Sequence, residues 1–75
     1  MNYCIAVFNS RSATLSFARL LKARNIPCAI INTPGSFKHA CGISVKFLSE
    51  DLPLAQKLID IKLKMSFAGF YNLAD

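Results

Sequence analysis

Hydrophobic and polar positions along the chain alternate in two similar rounds, each a short apolar run, a helical stripe and a second short run. Residues 2–8 are apolar, with aromatic and β-branched members, and they stop at Asn9-Ser10-Arg11-Ser12. This predicts a strand, a turn and a helix start, with Ser10 or Ser12 as the cap. Ala13, Phe17, Leu20 and Leu21 then recur at i, i+4, i+7 and i+8, one face of an amphipathic helix. Arg19, Lys22 and Arg24 fall late in it, where cations suit the helix dipole. Asn25 tolerates the left-handed conformation that ends helices, and Pro27 prevents continuation.

The second round follows a loop. Residues 26–32 predict a strand with Pro27 at its start. Residues 42–48 alternate, with Ile43, Val45 and Phe47 on one face and Ser44 and Lys46 on the other. Ser49-Glu50-Asp51 reads as an acidic capping cluster, and Pro53 suits a first helical turn. Leu54, Leu58, Ile61 and Met65 predict the buried stripe of one second helix, widened by Ala55 and Ile59. Residues 67–73 close the chain as a short strand weakened by Gly69.

The order is βαββαβ. With right-handed crossovers, two such split units interleave into a four-stranded antiparallel sheet with both helices on one face. The expectation is therefore an α+β, ferredoxin-like sandwich of strand order 4-1-3-2, with residues 1–75 as a single domain.

Composition adds two points. Hydrophobic residues make up 53% of 75 positions, rich for a domain that buries only about 60% of its unfolded surface. A dimer interface or docking face is expected to take the surplus. Six of the nine basic residues behind the net charge of +5 lie on the two predicted helices: Arg19, Lys22, Arg24, Lys57, Lys62 and Lys64. They read first as solvated helix faces, and more sharply as a surface for RNA or an acidic protein. The chain lacks the roughly 18-residue apolar run of a membrane span. It also lacks a basic leader, so a cytoplasmic location is expected. Three cysteines without a regular framework agree with a reducing compartment.

Candidate chemistry gathers in one stretch, residues 33–42, where a thiol, a histidine, a lysine and two glycines crowd together. The expected topology sets Cys41-Gly42 at the sheet end that holds the finish of strand one and the start of the first helix. The positive end of that helix favours negative charge, and Arg11, Lys38 and His39 add to it, with Ser10 at the cap. Such a setting favours the thiolate, the reactive form of cysteine. Gly42 leaves room for a ligand or partner to approach the sulfur. Cys4 and Cys28 sit inside apolar strands that are not neighbours, and they read as structural thiols.

Other chemistries fit less well. A structural zinc site needs about four ligands at a recognisable spacing, and the chain has no Cys-x-x-Cys pair. Metallochaperones of this architecture carry paired cysteines in the first loop, where Asn9-Ser10-Arg11 stands. Tyr3, Phe8 and Phe47 lack the Lys/Arg-Gly-Phe signature of base-stacking strands, so nucleic acid is not the expected partner. Small acylphosphatases pair a first-loop Arg, here Arg11, with an Asn that strand three does not have.

With these residues in view, the chain resembles a small family of bacterial and archaeal proteins described as putative Se/S carrier-like. The resemblance rests on Phe8-Asn9-Ser10, Leu15-Ser16-Phe17, Leu20-Leu21-Lys22, Ile26-Pro27, Pro34, Cys41-Gly42 and Asp51-Leu52, an ordered set covering nearly the whole chain. It implies that Cys41 carries sulfur or selenium as a persulfide or selenosulfide for a sulfur- or selenium-handling partner. No cofactor other than that covalent load is implied. Members often carry Arg after the loop proline and Ser or Thr before the cysteine, where this chain has Gly35 and Ala40. Lys38 and His39 stand nearest to replace the Arg. The alternative is a non-catalytic interaction module that forms a homodimer through the open sheet face.

Overall fold

A computed structural model of the chain describes residues 2–35 and 41–73. The elements are β1 (Tyr3–Phe8), α1 (Arg11–Ala23), β2 (Cys28–Asn32), β3 (Ile43–Leu48), a 3-10 turn (Ser49–Asp51), α2 (Leu52–Lys57), α3 (Ile61–Lys64) and β4 (Phe67–Leu73). The strands form one antiparallel sheet in the order β2-β3-β1-β4. Counted from the β4 edge, the row runs 4-1-3-2. No helix among the described residues is long and apolar enough to cross a membrane.

β1 is central, and every residue from Cys4 to Phe8 is buried. Cys4, Ala6 and Phe8 point to one face together with Val45 and Phe47 of β3. There they join Ala13, Phe17, Ala18 and Leu21 of α1, Ala55 of α2 and Leu63 of α3 in one core cluster. Five phenylalanines run through it. Phe17 lies 5.4 Å from Phe8, 6.5 Å from Phe47 and 6.3 Å from Phe70 between ring centroids. Phe67 lies 5.3 Å from Phe8 and 4.8 Å from Phe70. Each buried ring contributes about 1.5–3 kcal/mol by leaving water. Tilted and edge contacts of this kind add about 0.5–1.5 kcal/mol per pair.

Phe67 and Phe70 differ by an odd number, so a regular strand would send them to opposite faces. The register against β1 slips between Val7 and Phe8, since Val7 pairs with Gly69 and Phe8 with Phe67. Ala68 is the extra residue of a bulge, and Gly69 takes φ +127° beside it. The Tyr71 ring folds back over Gly69, its hydroxyl donating to the Ala68 carbonyl at 2.9 Å. Gly69 is thus what brings both rings into the core, not only a weak point in the strand.

The opposite sheet face carries Ile5 and Val7, which are also buried. Lys46 and Tyr71 flank Ile5 across the strands, and the Lys46 ammonium sits 4.2 Å over the Tyr3 ring. Burying Ile5 and Val7 therefore does not call for a second copy.

α1 begins and ends as its sequence dictates. The Ser10 hydroxyl accepts the Ala13 N–H at 3.0 Å. At the other end Asn25 has φ 58°. The Asn25 N–H reaches Lys22 and the Ile26 N–H reaches Leu21, the paired bonds of a Schellman motif. Ile26 and Leu21 are both buried behind it.

The second helical region corrects the expected stripe. It is two helices broken at 58–60, because Asp60 adopts extended backbone and caps α3, its Oδ1 accepting the Leu63 N–H at 2.8 Å. Ala55, Leu58, Ile59 and Leu63, at i, i+3, i+4 and i+8, form the inward face. Ala55 and Leu63 become the buried residues, Leu58 and Ile59 pack beside the core, and Leu54, Ile61 and Met65 are exposed. Ser49, Glu50 and Asp51 wind into the 3-10 turn, and no side-chain cap bond forms at Asp51. The strands also start later than expected, β2 at Cys28 and β3 at Ile43.

Two substitutions test this account by chemical denaturation. Gly69→Ala must hold a side chain at positive φ and displace the Tyr71 ring, with an expected loss of about 1–3 kcal/mol. Asp60→Ala removes the α3 cap and is expected to cost about 1 kcal/mol.

Candidate functional site

Strand connectivity gathers the end of β1, the start of α1, the start of β3 and the start of β4 at one end of the sheet. Cys41 lies there, one residue beyond Gly42 from β3. Its N–H donates to the Phe8 carbonyl oxygen at 3.0 Å, which ties it to the last residue of β1. Its own carbonyl accepts the Thr33 hydroxyl at 2.9 Å. The Thr33 N–H also donates to the Gly42 carbonyl at 3.0 Å, so Thr33 clamps both residues of the motif to the end of β2.

Thr33 has one hydroxyl hydrogen, and Cys41 takes it. The 2.7 Å contact between Thr33 Oγ1 and Ser44 Oγ is therefore a bond that Ser44 donates. This explains why Ser44, expected on the more polar face of β3, is fully buried. Its hydroxyl is satisfied inside the fold.

Among the described residues, the half-buried Cys41 has two polar neighbours at its sulfur. Cys41 Sγ donates to the Ile43 carbonyl oxygen at 3.1 Å and lies 3.3 Å from Thr14 Oγ1. Thr14, on the second turn side of the α1 cap, is fully buried. Its hydroxyl donates to the Ser10 carbonyl at 3.0 Å, an oxygen that the Thr14 N–H also reaches at 3.2 Å. Because Ser10 keeps that second donor, the Thr14 hydroxyl can turn toward the sulfur without leaving the carbonyl unpaired.

The candidate residues separate accordingly. Ser10 joins the site through Thr14, as cap and as acceptor. Arg11 is exposed on the outside of the first turn, and the α1 side chain that touches the sulfur is Thr14. Lys38 and His39 lie outside the described residues. Gly42 is exposed, and a Cβ built there meets none of the described residues within 4 Å. Thr14 and Thr33 were not singled out from sequence. Thr14 flanks the apolar stripe four residues after a capping serine, the spacing at which a helical hydroxyl bonds back to the i−4 carbonyl.

The other two thiols are placed differently. Cys4 is buried at the far end of the sheet, its Sγ 3.2 Å from Ser49 Oγ. Cys28 lies under α1, its Sγ 3.8 Å from the Ala18 carbonyl. Burial pushes the Cys28 thiol above its ordinary value, and the charge of Lys22 offsets this only in part. All three cysteines are free.

A family model described as "Putative Se/S carrier protein-like" matches residues 3–72, nearly the whole chain. Neither the curated proteins nor the solved structures contain a match.

Two measurements test the site's construction. With iodoacetamide at neutral pH, Cys41 is expected to react before Cys28, which is held protonated, and before Cys4, which is shielded. Thr33→Val removes the hydroxyl bond of the clamp to Cys41, leaves the backbone bond to Gly42, and strands the buried Ser44 hydroxyl. Its expected cost is about 1–3 kcal/mol in denaturant unfolding, with faster alkylation of Cys41.

Proposed function

We propose that the chain, which belongs to the putative Se/S carrier protein-like family, holds sulfur or selenium covalently on Cys41 and passes it to a partner enzyme. The observation that supports this most directly is the seating of the thiol. Cys41 is fixed through its backbone at Phe8 and Thr33, while the residue stays only half-buried and no described atom lies within 4 Å of a Cβ built at the neighbouring Gly42. A carrier needs both properties, a defined position and a sulfur that two successive partners can reach.

The exchange is balanced without an external oxidant or reductant. Cys41 Sγ releases its proton to solvent and attacks the outer sulfur of a donor persulfide. The new Sγ–S bond forms as the donor's S–S bond breaks, and the electron pair leaves on the donor thiolate. A nucleophile on the acceptor then takes the outer sulfur, and Cys41 leaves as thiolate. Selenium follows the same path through a selenosulfide. Attack requires Sγ to give up its bond to the Ile43 carbonyl, and the Thr14 hydroxyl, 3.3 Å away, is then a donor for the anionic sulfur. Gly42 keeps the approach clear and Ser10 holds Thr14 in place, while Lys38 and His39 precede Cys41 in the chain and Arg11 opens α1. The scaffold is read as ferredoxin-like and the setting as the reducing cytoplasm, where a free thiol persists.

Mass spectrometry of protein isolated from its own host tests the proposal. An adduct of about 32 Da for sulfur or about 80 Da for selenium is expected on Cys41 and absent from Cys41→Ser. Loading of the purified protein by inorganic polysulfide should slow about tenfold in Thr14→Val and be retained in Thr14→Ser. A Cys41 that stays unmodified in the host and accepts no sulfur from polysulfide would sink the carrier reading.

A further inference from the structure

The short helix α3 presents two large apolar side chains to solvent. Ile61 is 85% exposed and Met65 is 83% exposed. They are four residues apart, so they share one side of the α3 turn. This turn lies at the same end of the molecule as Cys41. The Ser66 carbonyl, next to Met65, accepts the Asn9 N–H at 2.7 Å, while Cys41 bonds to Phe8 on the other side of β1. Two strand spacings separate those attachment points, about 10 Å.

Charge is distributed unevenly about this end. Arg11, Lys62 and Lys64 are exposed around it. Asp60 is the acid nearby, and one of its carboxylate oxygens is engaged in capping α3. Glu50 and Asp51 lie in the turn after β3, which is tied to Asn2 at the opposite end of the sheet.

We propose that the α3 turn, with Ile61 and Met65 at its centre and Lys62, Lys64 and Arg11 around them, is the docking surface for the protein that exchanges sulfur with Cys41. The partner surface it fits is an apolar pocket with an acidic rim. Methionine adapts to irregular apolar pockets, and the surrounding cations select an acidic rim and speed encounter. This inference rests on the carrier reading and adds the partner's chemistry to it.

Photocross-linking in the native host tests the surface with the full chain. A benzophenone amino acid is placed at Met65 in one variant and at Leu54, which is exposed toward the other end, in another. The expected result is one protein cross-linked from position 65 and not from 54, at a peptide rich in Asp and Glu. The yield should fall about tenfold in Lys62→Glu/Lys64→Glu, and persist in Cys41→Ser. Far-UV circular dichroism confirms that each variant is folded, and Ile61→Ser with Met65 intact serves if charge reversal unfolds the chain. Cross-linking to a second copy, to a basic surface, equally from both positions, or to nothing would overturn the docking proposal. The two readings fail separately. An acidic partner at position 65 with no sulfur ever on Cys41 would refute the carrier and leave the surface. A loaded Cys41 without such a partner would do the reverse.

Discussion

Phe8 is held from three sides, and the remaining structure depends on how those ties agree. Its ring packs against Phe17 of α1 and Phe67 of β4, its strand position sets the slipped register with β4, and its carbonyl holds the Cys41 N–H. The core and the candidate site therefore share one residue. Loss of the aromatic packing would remove about 3–5 kcal/mol from a small domain and would also release the thiol's position. In a chain this short there is no separate scaffold to insulate the site from its core.

Where the sequence was explicit, local chemistry and tertiary packing asked for the same thing. Ser10 and Asn25 mark the ends of α1 because a hydroxyl suits the first turn and a small amide tolerates positive φ. The end of the sheet at which Cys41 lies follows from connectivity alone, before any side chain is placed. Where reading the sequence failed, two signals competed. Leu54, Leu58, Ile61 and Met65 have helical spacing, yet Ala55, Leu58, Ile59 and Leu63 have it too, and that is the face the core took. Ser44 looked solvated because alternation says nothing of a hydroxyl arriving from another strand. Gly69 looked like a defect because the odd spacing of Phe67 and Phe70 had not been set against the need to bury both. Thr14 was passed over because a threonine beside an apolar stripe carries no distinguishing pattern until its neighbour across the fold is known.

Among the described residues, the sulfur's hydrogen-bond neighbours are neutral, a carbonyl and a buried hydroxyl, and the exposed Arg11 is not one of them. Neutral groups at fixed distance act on the sulfur by direction, whereas surrounding cations act by range and are screened over about 8–10 Å. The first arrangement suits control of one atom; the second suits recruitment of another molecule.

The clamp at Thr33 has a consequence for how such a protein can vary. Both ends of the connection between β2 and β3 are pinned at its base, by the Thr33 bonds to Cys41 and Gly42 and by the Cys41 bond to Phe8. The entropy of closing the connection is met there, and each doubling of its length would add only about 0.6 kcal/mol. A change in the length of the connection is met at this clamp, with the backbone of Cys41 still held by Phe8 and Thr33.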